Sequence, residues 1–356
     1  MPTNVVIAGG GPAGLEAALA LHRLADEQVD VTVLAPEAEF IYRPLSVLSP
    51  FAAGGVITYP LDRIAADAEF THRRERLASV DPAAREVHTV TGDVVPYDVL
   101  LIASGARPVT PFTGAVPFSG SLADQERLRG IVQDVEGGSL RSLAFVVPPG
   151  VTWSLPLYEL ALMLAGRVFE MGTTIDLHVV TAEAAPLERF GEPASHELRG
   201  LLDLAGITLH TGLAWTPAML AVQRVITLPR LEGPAIAGLP HDAGGFLVAD
   251  EFGRVAPGVY AAGDVTAYEV KQGGIACQQA DAAASHIAAA AGAPVTPVPF
   301  EPKLKGLLLT EHWARYLKPD RAATVLATRG LSWPPTKIAG RELARYLKTL
   351  EPVTLR

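Results

Sequence analysis

The stretch Asn4–Glu37, NVVIAGGGPAGLEAALALHRLADEQVDVTVLAPE, decides the reading of the chain. Asn4 to Ala8 is an apolar run of the length of a buried strand. Gly9, Gly11 and Gly14 follow at G-x-G-x-x-G spacing, then an Ala/Leu-rich segment to about Ala25 with helical character. Asp30 to Ala35 is a second strand, so the whole predicts a βαβ unit. Gly9 permits the tight turn, Gly11 lets backbone approach a pyrophosphate, and Gly14 lets the helix pack close to the strand. The helix N-terminus then faces the anion. An acid closing the second strand would bind ribose hydroxyls. Ala35 holds the usual place, and the nearest acid is Glu37; its alternative role is that of a solvated loop acid.

A chain of 356 residues predicts two or three domains, and 49% hydrophobic against 19% charged residues supplies a sizeable core. The net charge of -9 argues against a nucleic-acid partner, whose phosphates it would repel. Cys277 is the single cysteine, which rules out an intrachain disulfide and fits a reducing compartment. The N-terminus carries no secretory pattern and no run of about 18 apolar residues occurs, so the expected location is the cytoplasm. No spacing suggests a metal site, and the nine histidines are scattered.

Two further segments fit the opening unit. YDVLLIASGARP, residues 97–108, has an apolar strand, Val99 to Ala103, running into Ser104-Gly105. It follows two short strands flanking a turn at Gly92. VYAAGDV, residues 259–265, ends a strand in Gly263-Asp264 and precedes a glycine loop and a long Ala-rich helix. With GGGPAGLEAA at the start, these segments resemble, in order and at suitable distances, the FAD domain of the two-dinucleotide-binding-domain flavoproteins. That superfamily includes glutathione-reductase-like enzymes, type II NADH dehydrogenases and sulfide:quinone oxidoreductases. The resemblance covers nearly the whole chain.

It implies an α/β fold of two Rossmann-like domains, one inserted in the other. Residues 1–108 and 242–300 would form the FAD domain, residues 109–241 the insertion, and residues 301–356 a C-terminal cap making a membrane or dimer contact. It also implies that Gly9, Gly11, Pro12, Ala13, Gly14, Glu37, Arg43, Val80, Ser104, Gly105, Gly263, Asp264, Gly274 and Ile275 hold FAD. Asp264 would bind the ribityl chain. The helix starting near Gly274 would aim its N-terminus at the flavin pyrimidine.

The insertion repeats the strand–loop–helix plan, with a strand at Leu143–Val147, a helix from about Leu157 and a strand at Thr174–Val180. Its loop, VPPGVTWSLPLYE (147–159), has one glycine, Gly150, where a dinucleotide site would have three. Pro148 and Pro149 have no N–H groups to donate to a pyrophosphate. The expectation is a domain kept to cover the flavin after its nucleotide contacts were lost; the alternative is an altered but working NAD(P)H loop. PPGVTWSLPLYELALML and VVTAEAAPLERFGEPASHELRGLLDLAGI are most similar to the sulfide:quinone oxidoreductase and flavocytochrome c sulfide dehydrogenase branch. That branch carries sulfur on a pair of cysteines, which this chain lacks.

Four residues are candidates for catalysis. Glu159 matches a glutamate near the flavin in this branch and in the NADH dehydrogenases, and would relay protons; otherwise it is an acid favoured by the helix dipole. Lys271 would neutralise reduced flavin, or be a solvated loop lysine. Cys277, at or before a helix N-terminus, would have a lowered pKa, or be a small apolar filler. Gln278, with Gln279, would hydrogen-bond a quinone carbonyl. The segment 336–350 reads as a basic amphipathic helix with Ile338, Leu343, Leu347 and Leu350 on one side and Lys337, Arg341, Arg345 and Lys348 as polar partners. It would dock on a membrane, or pack on its own domain or a dimer partner. The resulting expectation is an FAD-dependent oxidoreductase passing electrons from an unassigned small-molecule donor to a quinone or similar acceptor. The alternatives are an NAD(P)H:acceptor oxidoreductase and a flavin-binding sensor or scaffold.

Overall fold

The structure, a computed structural model, describes residues 1–51, 56–310, 313–319, 324–327, 337, 340–350 and 353–355. Two parallel sheets organise it. In the first, strands Thr3–Ala8, Val29–Leu34, Val99–Ile102, Val259–Ala261 and Thr71–Arg73 are parallel, and Arg254–Ala256 adds an antiparallel edge. Thr3–Ala8 lies between Val29–Leu34 and Val99–Ile102 and is buried over Val5–Ala8. Burial on both faces is why it is a continuous apolar run rather than an alternating one.

On one face, helix Pro12–Ala25 and helix Gly273–Ala290 pack against each other. Both are rich in alanine, so their axes approach closely with little side-chain volume between them. The other face is covered by an antiparallel meander, Leu77–Asp81, Glu86–Thr89 and Val94–Pro96. Its inward Val80, Val87 and Val95 join Val6, Ala8, Leu100 and Ile102 in one apolar cluster. Gly92, in the turn of that hairpin, has φ +97°.

The second sheet runs Val116–Pro117, Arg224–Thr227, Ser142–Val147, Asp176–Thr181, Ile207–His210, parallel throughout. The expected elements are present here with shifted bounds, the strand expected at Thr174–Val180 running Asp176–Thr181 and the helix spanning Leu155–Glu170. The antiparallel pair Arg107–Val109 and Arg230–Glu232 links the two sheets where the chain leaves the first and returns to it.

After residue 300 the chain forms a meander of Gly306–Leu309, Trp313–Leu317 and Thr324–Ala327, whose first strand packs on helix Leu155–Glu170. Strand Val353–Leu355 pairs with Val56–Pro60, which also pairs with Glu39–Ile41. For the segment 336–350, the alternative of packing on its own domain fits the burial, and the helix is shorter than expected. Only Leu343–Leu347 is helical among the described residues, and Ile338 lies outside them. Leu343 and Leu347 are buried in the main core, and Lys337 is enclosed, so the apolar side is used internally. No helix among the described residues is long and apolar enough to cross a membrane.

Candidate functional site

The carboxyl ends of four parallel strands of the first sheet converge on a cavity of about 570 Å³. Ligands bind at this edge in open parallel sheets. Its walls include Gly9–Ala13 after the first strand, Glu37 after the second, Ala103–Gly105 after the third and Gly263–Asp264 after the fourth. Arg43 closes one side.

The three glycines of the first turn differ in what constrains them. Gly9 has φ +133°, and a Cβ there would lie 2.2 Å from the Ala103 carbonyl oxygen. A Cβ on Gly14 would lie 1.8 Å from the Gly9 carbonyl oxygen, so its role is packing; it does not line the cavity. Gly11 has φ -83°, and a Cβ there would meet no atom within 4 Å. Neither conformation nor packing requires glycine at 11, whereas a ligand running close to the backbone does. Helix Pro12–Ala25 has no side-chain cap and no acid in its first turn. Its free N–H groups and dipole suit a pyrophosphate. The cavity therefore fits a dinucleotide, with Glu37 exposed at the end where a ribose would lie.

Asp264 is positioned by a hydrogen-bonded turn. Gly263 (φ +85°) donates its N–H to Gln279 Oε1 at 2.7 Å, and Gln279 Nε2 donates to Thr266 Oγ1 at 3.1 Å. Lys271 Nζ donates to the Asp264 carbonyl at 3.2 Å and to the Thr266 carbonyl, and lies 4.0 Å above the Phe246 ring centroid. Burial raises the Asp264 carboxyl, while Lys271 and Arg43 pull it back. Burial brings the Lys271 ammonium down to about 8, opposed by Asp264 and Asp242.

Several expected residues stand elsewhere. Val80 is outside the cavity because its N–H is bonded to the Ala237 carbonyl; Leu77 and Ala78 line the wall instead. Ile275 gives its N–H to Gln272 Oε1 at 3.1 Å, the cap of helix Gly273–Ala290. Gly273 and Ala276, rather than Gly274 and Ile275, border the cavity. Lys271 braces the Asp264 turn rather than lining the cavity. Gln278 is spent on backbone, accepting from Lys303 N–H at 2.8 Å and donating to the Gly274 carbonyl at 3.0 Å. Cys277 is fully buried, and burial first, then Glu16 and Asp281, pushes its thiol well above the ordinary range. The helix start therefore does not activate it, and of the two readings of Cys277 the small apolar filler fits.

Glu159 is also fully buried, without bordering the cavity. Its Oε1 accepts the Leu309 N–H at 2.8 Å, and Lys337 Nζ lies 2.7 Å from both carboxylate oxygens. Burial raises Glu159 and lowers Lys337, and each opposes the other's shift. Sequence reasoning missed this pairing; a lysine in an otherwise apolar, proline-rich segment was the only signal.

The second strand–loop–helix ends differently. Gly150 has φ +82°, and a Cβ there would meet no atom within 4 Å. Val151 N–H turns back to the Pro148 carbonyl at 3.3 Å. Glu183, just past strand Asp176–Thr181, folds back onto the first turn of helix Leu155–Glu170. Its carboxylate accepts from Ser154 Oγ at 3.0 Å, Tyr158 OH at 2.6 Å and Thr181 Oγ1 at 3.0 Å. Burial raises the Glu183 carboxyl and these hydroxyls counter it. Trp153 packs on Phe190, ring centroids 5.9 Å apart. Thr152 Oγ1 donates to the Glu269 carbonyl at 2.5 Å, which ties the loop to the first domain.

Two dinucleotide-type units, the first with a cavity that fits a dinucleotide, define a dinucleotide-binding class. Residues 3–218 match the family described as pyridine nucleotide-disulphide oxidoreductase, and the chain belongs to that family. FAD is its cofactor and oxidoreduction its activity. The chain is 28% identical over 310 residues to an NADH dehydrogenase-like protein of Mycobacterium tuberculosis, covering 74% of this chain and 73% of that one. It is 29% identical over 199 residues to the sulfide-quinone reductase of Aquifex aeolicus, covering 54% and 45%. The crystal structure of the sulfide:quinone oxidoreductase from Aquifex aeolicus superposes with a TM-score of 0.79 at 19% identity, covering 98% of this chain and 89% of that one.

Proposed function

We propose that the protein takes electrons from a donor other than a pyridine nucleotide and passes them, through FAD, to a quinone or similar acceptor. The observation that carries this reading is the second loop. Pro148 and Pro149 withhold the N–H groups a second pyrophosphate needs, and the Glu183 carboxylate already lies on the first helical turn. A bound dinucleotide would compete with that carboxyl group for the start of the helix.

Bound FAD supplies the two-electron chemistry. The chain's residues would orient it: the first turn of helix Pro12–Ala25 would hold the pyrophosphate, and Asp264 would accept from a ribityl hydroxyl. Lys271 and Gln279 keep the Asp264 turn in place. Glu159 and Lys337 hold a proton in a dry site, and Glu159 is the proposed relay toward the acceptor. Sulfur carriage on paired cysteines is unavailable to a chain whose one cysteine is buried. Likeness to sulfide:quinone oxidoreductase over nearly the full chain supports the quinone-type acceptor.

The similarity to an NADH dehydrogenase-like protein favours a second reading, NAD(P)H oxidation through the altered loop. Anaerobic stopped-flow mixing with NADH, NADPH, sulfide and thiols separates the two. The expected result is negligible flavin bleaching by NADH and NADPH, with any reduced form reoxidised by a short-chain quinone. Reduction by NADH at on the order of 10 per second, a typical enzyme turnover, would establish the second reading.

A further inference from the structure

Glu16 lies within the alanine-rich packing of helix Pro12–Ala25 and is fully buried. Its carboxylate accepts three backbone N–H groups from one stretch near the C-terminus: Arg341 at 2.6 Å, Glu342 at 2.7 Å and Leu343 at 2.8 Å. Asp281, on helix Gly273–Ala290, is hydrogen-bonded to the same carboxylate. Two carboxyls can hydrogen-bond each other only if one of them carries a proton. Glu16 as the ionised partner then accepts from Asp281 and from the three amides together.

The stretch fits closely over this pair. A Cβ on Gly340 would lie 2.6 Å from Glu16 Oε2 and 3.1 Å from Cys277 Sγ, so the chain passes directly against both groups. The remaining charges facing the pair come from that stretch: Arg341 attracts the Asp281 carboxylate and Glu342 repels it. Glu342 is itself paired with Arg23 at 2.8 Å, Arg345 at 3.1 Å and Arg341 at 3.6 Å. Neutralised in this way, Glu342 is not the group that decides whether the stretch stays down.

We propose that residues 340–343 are a clasp fastened by the proton that Glu16 and Asp281 share: it lies closed over Cys277 while the proton is held and opens when the proton leaves. With both carboxyls ionised, two negative charges face each other in a poorly solvated gap. Moving the helices apart would break the central packing, whereas lifting the clasp admits water and breaks three hydrogen bonds. Burial first, and the Glu16 charge second, hold the Asp281 carboxyl up at about 8. An acid raised in the folded state contributes stability that is complete below its unfolded value, about 4, and is lost as pH rises through the folded value. Opening is therefore an alkaline event. Cys277 is adjacent to Ala276, and its Sγ lies 3.7 Å from the Pro12 carbonyl; both Ala276 and Pro12 line the cofactor cavity. The clasp thus lies one layer behind the flavin site.

The full-length, FAD-loaded protein carries its own reporter, because Cys277 is the only thiol. Iodoacetamide labelling, followed by intact mass, is compared between the wild type and Asp281→Asn at equal pH; Asp281 itself raises the Cys277 thiol, so its removal speeds the variant through the thiol, opposite to the effect sought. Asparagine keeps an N–H donor toward Glu16 at every pH. At pH 6.5 the two proteins should label equally slowly. At pH 9 the wild type should label about thirtyfold faster, because a carboxyl titrating at about 8 goes from about 3% to about 91% ionised between the two pH values. Equal labelling at pH 9 overturns the proposal. If Asp281→Asn does not fold, hydrogen exchange of the Arg341–Leu343 amides in the wild type decides instead. Normalised to unstructured-peptide rates, protection should fall about thirtyfold between pH 6.5 and 9; unchanged protection overturns the clasp.

Discussion

The two strand–loop–helix units of this protein solve one electrostatic problem in opposite ways. Each places a helix N-terminus at the end of a central parallel strand, where backbone N–H groups and the dipole favour a negative charge. The first leaves that end uncapped, with no protein atom near the Cβ position of Gly11. The second fills the region with the chain's own Glu183, held by Ser154, Tyr158 and Thr181. A shared fold therefore carries two different binding capacities, and the loop residues decide which is present.

The sharpest way to break the contrast is Gly11→Val. No protein atom lies within 4 Å of the first added carbon, so the FAD-free protein should keep its melting temperature while FAD binding is abolished. Retained yellow colour after gel filtration would remove Gly11 from the cofactor path. Asp264→Ala comes next. A ribityl hydroxyl would lose its hydrogen-bond partner, weakening FAD retention by about 0.5–3 kcal/mol in a fluorescence titration. Unchanged affinity would mean that the carboxylate does not touch the cofactor.

In the second unit, Glu183→Ala should cost about 2 kcal/mol in urea unfolding, because the buried Tyr158 hydroxyl loses its partner. FAD content should be unaffected. No loss of stability would show that the carboxylate does not serve as the helix's internal anion. The smallest effect belongs to Gly150→Ala. With φ +82° and open space around it, the cost should be about 1 kcal/mol of backbone strain, with no change in flavin binding. A loss of FAD from this variant would mean that the two units are not separate in function.

What the sequence made legible follows from how local each requirement is. Gly9, Gly11 and Gly14 serve a turn, a ligand and a helix contact within six residues, so their spacing alone reveals them. Asp264 was singled out by the family resemblance alone, and it does border the cavity. Lys337 meets Glu159 across 178 residues, and no spacing rule reports such a meeting. For Cys277, helix position argues for activation, whereas the packing of Gly340 and Glu16 over it decides its burial. The C-terminal leucines carried a true amphipathic signal, but such a pattern says only that one side is covered, not by what.

The way the first sheet is assembled from distant segments bears on how the protein is made. Strand Val99–Ile102 must wait for Val259–Ala261 before its open edge is paired, and Val56–Pro60 waits for Val353–Leu355. The second sheet, between Val116 and His210 with Arg224–Thr227, needs nothing from outside its own span. At about 5–20 residues per second of synthesis, the nascent chain carries an unfinished first sheet for on the order of ten seconds or longer while the insertion can already fold. During that interval the N-terminal strands present unpaired backbone at the ribosome exit, so this protein's exposure to misassembly is greatest before translation ends.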